Sequence, residues 1–116
     1  MSELNNIQSA PVVFDFVGTV AIAAITSSRA FPMVGLTKIY GLVYSTTFMN
    51  FVVEEGVDDK ASALDYRFIT TIPIVAGVAQ KISIPIGGKF CRVRLDNSAG
   101  LVIASVECFI AARSFE

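Results

Sequence analysis

Histidine and tryptophan are absent from this chain, cysteine occurs only twice, and charged residues make up 16% of its 116 positions. Without histidine, the commonest general base and the commonest metal ligand are both missing. Without tryptophan, and with few Asn and Gln, an exposed aromatic–amide site for a glycan is poorly supplied. Long apolar runs are lacking too. The longest, residues 11–25, is interrupted by Asp15 and falls short of the ~20 residues that a membrane-spanning helix needs. The start of the sequence has no basic segment leading into an apolar core and a small-residue cleavage site, which predicts a product made in a cytoplasm without a signal peptide. Nor is there a charge excess. Nine Lys+Arg stand against ten Asp+Glu, a net charge of −1, so general nucleic-acid binding is not expected.

What the chain has in surplus is apolar side chain: 53% of residues are hydrophobic and the mean hydropathy is +0.64. A small domain has a poor surface-to-volume ratio, and one core of this size does not readily hide so much. The surplus predicts burial against other copies or another protein. Length and even composition predict one domain over residues 11–116. Residues 1–10 have no sustained period and read as an N-terminal arm, whose Leu4 and Ile7 either dock on a neighbour or fray with the terminus.

From Pro11 onward the period is two. Phe14, Phe16, Val20 and Ile22 share one parity and Asp15, Thr19 and Ala21 the other, with Gly18 suggesting a bulge or close backbone approach. Residues 26–35 read as a turn and a short edge segment. Strands follow over 36–47, with Tyr40, Leu42 and Tyr44 alternating against Ile39, Gly41 and Val43, then over 48–55, and over 66–72 as far as Pro73. Ile82, Ile84 and Ile86 alternate with Ser83 and Pro85. Cys91, Val93 and Leu95 are predicted inward, Phe90, Arg92 and Arg94 outward. A turn at 96–100 leads to a last strand with Val102, Ala104, Val106, Cys108 and Ile110 inward. Seven to eight short strands without an amphipathic helix predict an all-β fold, an antiparallel β-sandwich that is jelly-roll-like or Ig-like.

If 96–100 closes a hairpin, Cys91 and Cys108 share one face of adjacent strands. A disulfide is then conceivable, but a cytoplasmic product with an apolar face favours reduced core thiols. Catalytic use is disfavoured, since no histidine activates them. Glu54, Glu55, Asp58, Asp59 and Asp65 cluster around one polar insertion; the spacing fits no EF-hand loop, so a solvated loop is expected, not a metal site. Between Asp65 and Asp96 there is no acid, while Arg67, Lys81, Lys89, Arg92 and Arg94 are basic. These opposed segments are either solvated faces or a means of steering neighbours into register. No catalytic, cofactor-binding or metal residue is predicted, and the chain is expected not to be an enzyme. The candidate partner-binding residues are Leu4, Ile7, Glu54, Glu55, Asp58, Asp59, Phe90, Arg92 and Arg94. Off-parity Val13, Val17, Ile39, Val43 and Ile69 join them as interface candidates.

Two stretches carry a resemblance. Residues 44–59 form a strand pair running into an acidic loop. Residues 89–100 contain Phe90–x–Arg92-Val93-Arg94–x–x–Asn97–Ser98, an aromatic–x–Arg-Val-Arg–x–x–Asn–small pattern. In this order they resemble small β-sandwich structural proteins of tailed bacteriophages, the head decoration (cement) proteins and tail modules. The chain departs from that pattern where Gly56 precedes the acids. The resemblance implies a virion protein on the capsid exterior, often a trimer at local three-fold positions, which stabilises the shell by binding neighbouring copies and the major capsid protein. The alternative expectation is a receptor- or glycan-binding β-sandwich module from a tail fibre or a cellular protein.

Overall fold

The computed structural model describes residues 11–57 and 66–114, with the backbone alone described at 66–68. Nine strands run through these residues: β1 (Val12–Val20), β2 (Ile25–Ser27), β3 (Phe31–Pro32), β4 (Lys38–Ser45), β5 (Met49–Gly56), β6 (Tyr66–Ile74), β7 (Gln80–Pro85), β8 (Phe90–Asp96) and β9 (Ala104–Arg113). They make two antiparallel sheets. One has the order β1-β9-β4-β7; the other has the order β2-β8-β5-β6, with β3 also pairing β8. The fold is the predicted β-sandwich, with one refinement: the edge segment over 26–35 is two strands. Their register sets β2 against Arg94–Asp96 and β3 against Phe90 and Cys91. They are one interrupted strand along β8, bridged by Ser28, whose Oγ accepts the Val93 N–H at 2.9 Å.

The core lies between the sheets and follows the two-residue period. Phe51 and Val53 of β5, Cys91, Val93 and Leu95 of β8, and Ala104, Val106, Cys108 and Ile110 of β9 are all buried in it. At about 1.5–3 kcal/mol for each large aliphatic side chain removed from water, these alternating positions dominate the stabilisation. On β4 both parities are apolar, and the inward set is Ile39 and Val43. Tyr40, Leu42 and Tyr44 therefore face outward, the reverse of the surface role expected for Ile39 and Val43. Val13 is buried as well, because a bulge between Val12 and Phe14 shifts the register there. Gly18, where a bulge or close backbone approach is expected, instead pairs in regular register with Val106.

Only β5 and β6 are consecutive partners; every other strand-to-strand connection except β2–β3 crosses between the sheets. The turn after Asp96 is accordingly not a hairpin. It continues through Val102, which is exposed, and carries the chain from β8 in one sheet to β9 in the other. Cys91 and Cys108 thus face the core from opposite sheets, both as buried free thiols.

Among the described residues, each of the four sheet edges carries an irregularity or a proline. β1 has its bulge, β2 and β3 are a broken pair ending at Pro32, β6 contains Pro73, and β7 ends at Pro85. Pro73 does not end β6 as the sequence pattern suggests. β6 is an edge strand, where one missing N–H is tolerated, and it runs on to Ile74.

Candidate assembly surfaces

The acidic and basic segments meet inside one subunit. Glu54 lies directly opposite Arg92 in the β5–β8 ladder, on the outer side of the five-stranded sheet. Arg92 Nε donates to Glu54 Oε1 at 2.7 Å, and its Nη2 lies 2.6 Å from the same oxygen. Arg94 Nη1 reaches Glu54 Oε2 at 3.1 Å. The carboxylate is therefore shared between two guanidinium groups, a charge-assisted arrangement of the strong kind. Glu54 is 2% exposed and Arg92 9%. This corrects two expectations: Glu54 is not part of a solvated loop, and Arg92 does not point freely outward.

Glu55 is buried too, at the end of β5. Its Oε1 accepts the N–H groups of Gly87 and Gly88 at 2.8 and 3.0 Å. The Gly87-Gly88 turn thus holds a carboxylate of the protein's own. A Cβ at Gly88 would crowd the Gly56 carbonyl and the Glu55 Cβ, so the tight approach depends on glycine. Phe90 is half-buried at the start of β8, and Arg94 is partly exposed. Among the off-parity apolars, Val17 and Ile69 are exposed. Leu4, Ile7, Asp58 and Asp59 lie outside the described residues.

The thiols are chemically quiet. Burial pushes Cys91 up to about 12, helped by the negative charge of Glu55; burial likewise pushes Cys108 up to about 12, helped by Asp15. A raised folded-state pKa means that the folded protein holds its thiol protons where the unfolded chain has begun to lose them. The stability linked to these protons is fully present below pH 9 and is lost as pH rises from 9 through 12. Denaturant midpoints measured across that window are expected to fall, and less so in a Cys91→Ala/Cys108→Ala variant. A thiol reagent at neutral pH is expected to label neither cysteine until denaturant is added.

Two surfaces are not singled out by the sequence pattern, Val17 on the second excepted. The first is one end of the sandwich. Four loops meet there: 21–24 after β1, 46–48 after β4, 75–79 after β6 and 97–103 after β8. Backbone bonds join them, with Asn97 N–H donating to the Ala24 carbonyl at 2.9 Å and Gly77 N–H to the Ser45 carbonyl at 2.8 Å. Buried Asn97 ties the cluster further, its Nδ2 donating to the carbonyls of Ala21 and Val102, each at 3.1 Å. None of the four loops contains a charged residue. Yet Ile22, Phe48, Val75, Val78, Leu101, Val102 and Ile103 are each more than half exposed, Leu101 at 88%. An exposed apolar cluster of this kind is a candidate contact site.

The second is the outer face of the four-stranded sheet. Val17, Leu42 and Phe109 are exposed on it, with Tyr40 and Tyr44 half-buried alongside. Arg113 lies over the Tyr40 ring, 5.3 Å from its centroid. Asp15 and Glu107 belong to the β1 side of this face, Lys38 and Lys81 to the β7 side.

The fold is thus a two-sheet antiparallel sandwich with exposed apolar surfaces at one end and on one face. No family model matches the sequence, and no curated protein matches it. Among solved structures, the crystal structure of the PBSX exported protein XepA has a similar fold, with a TM-score of 0.70, 15% identity and 92% of this chain covered. The chain spans 37% of the length of XepA.

Proposed function

We propose that this chain is a non-enzymatic structural component of a phage particle: a cement or decoration protein on the capsid exterior, bound to the major capsid protein and to neighbouring copies. The observation that carries the reading is the uncharged loop end, with Leu101 at 88% and Phe48 and Ile103 at 58% exposure. A free surface of this kind is poorly matched to water, and covering it yields about 25 cal/mol per Å². Repeated over a shell, even a modest contact sums to a large gain. The fold likeness to the PBSX exported protein XepA is compatible with this reading. The inert thiols and the absence of histidine from the sequence support a binding role over a chemical one.

The test is cosedimentation of the purified protein with expanded phage heads. Binding is expected for the native sequence and loss of binding for Leu101→Asp/Ile103→Asp. Both side chains are already exposed, so the melting temperature of this variant is expected to stay within a few degrees of the parent. Retention of binding by the variant would remove the loop end from the contact. Glycan-array binding with no affinity for heads would replace the reading with a receptor-binding one.

A further inference from the structure

We infer that the outer face of the four-stranded sheet is self-complementary and joins two copies about a two-fold axis running along the strands, between β9 and β4. This deepens the proposed assembly role by naming one partner, a second copy of this chain, and it is tested separately from capsid binding.

The inference comes from the ladder register. Asp15 pairs with Phe109, Phe109 with Leu42, and Leu42 with Lys81. These four residues form one row across β1, β9, β4 and β7: acid, apolar, apolar, base. All four are exposed. A two-fold axis through the middle of the row sets β9 over the second copy's β4, and β1 over its β7. Each Asp15 then meets a Lys81, and each Phe109 meets a Leu42. The charge pairs flank an apolar centre, the usual anatomy of a protein interface.

The neighbouring rows agree. Glu107 pairs with Tyr44 in register, so the same axis brings each carboxylate to the phenol of the other copy. On the other side Ala111 pairs with Tyr40, and the axis sets the small side chain against the large one. No like charges face each other in these three rows. Only Lys38 and Arg113, paired at the far end of the ladder, bring like charges together. Aligned sheets diverge by about 30° of twist, which separates both ends of the ladder, this one included, and Arg113 is occupied by the Tyr40 ring. Any other in-plane superposition loses this match, because the row reads acid to base in one direction only.

The experiment is sedimentation of the full-length protein at micromolar concentration, with charge reversals. The native chain is expected to be a dimer and Leu42→Asp a monomer. Asp15→Lys and Lys81→Asp each set two like-charge contacts across the axis, and each alone is expected to weaken dimerisation at least tenfold. When the two variants are mixed, the lysine introduced in one meets the aspartate introduced in the other. The Asp15 and Lys81 that each variant retains also meet, so the mixture is expected to form one-to-one dimers of near-native affinity. These exposed substitutions leave the fold intact, which circular dichroism checks. A native monomer, a native trimer, or a mixture that fails to pair would overturn the inference. Capsid binding without dimers would refute this pairing and leave the cement reading standing. Dimers without capsid binding would do the reverse.

Discussion

Arg92→Met is expected to lower the unfolding free energy by about 3 kcal/mol, near the lower end of the cost of removing one partner from a buried ion pair. The substitution keeps most of the stem but leaves the Glu54 carboxylate 2% exposed with Arg94 as its remaining guanidinium. Arg94, whose side chain is 30% exposed, is partly solvated and replaces only part of what is lost. The double variant Glu54→Leu/Arg92→Met removes both buried charges, and most of the loss is expected to return. Urea midpoints with an unchanged slope would give both numbers. A single variant within about 1 kcal/mol of the parent would show that water reaches the carboxylate and that the pair is a surface one.

Gly41→Ala is the second large effect. The strands β4 and β9 approach so closely here that an added Cβ would overlap the Phe109 carbonyl oxygen and crowd the Ile110 Cα. Backbone cannot turn aside as a flexible side chain does, so the central pairing of the four-stranded sheet has to move. Overpacking in a core typically costs about 1–3 kcal/mol, and a backbone clash between two interior strands belongs at or above the upper figure. For a domain of this size that corresponds to a fall in melting temperature of roughly 10 °C or more. A fall of less than about 3 °C would mean that the ladder absorbs a methyl group without strain. The same shift would disturb Leu42 and Phe109 and is expected to weaken self-association as well.

The parts of the fold that were legible in the sequence are those where one parity is apolar and the other polar. β9 alternates Val106 and Cys108 with Ser105 and Glu107, and its inward face follows directly. β4 offers no such contrast: Ile39 and Val43 compete with Tyr40, Leu42 and Tyr44, and only the packing of the second sheet decides between them. Glu54 and Glu55 group with the acids that follow because a run of carboxylates ordinarily means a solvated segment. Their partners, Arg92 and the Gly87-Gly88 turn, lie more than thirty residues away, and no local pattern announces such a pairing. The crossing after Asp96 is not distinguishable from a hairpin in the sequence, because Asn97, Ser98 and Gly100 are strong turn formers in either setting. The apolar loop end had a signal of its own, four turn segments without one charge, but turns are ordinarily judged by their formers and not by what else they hold.

The interrupted edges of both sheets set the direction in which copies can associate. A bulge, a broken strand and three prolines shorten the rows of N–H and C=O groups that strand addition by a neighbouring chain would use. Lateral growth into a continuous sheet is thereby disfavoured. Contacts through side chains on a face or a loop end stop when the matching patch is filled. Such a subunit can be concentrated without seeding fibres, and the assemblies it forms have a fixed number of members.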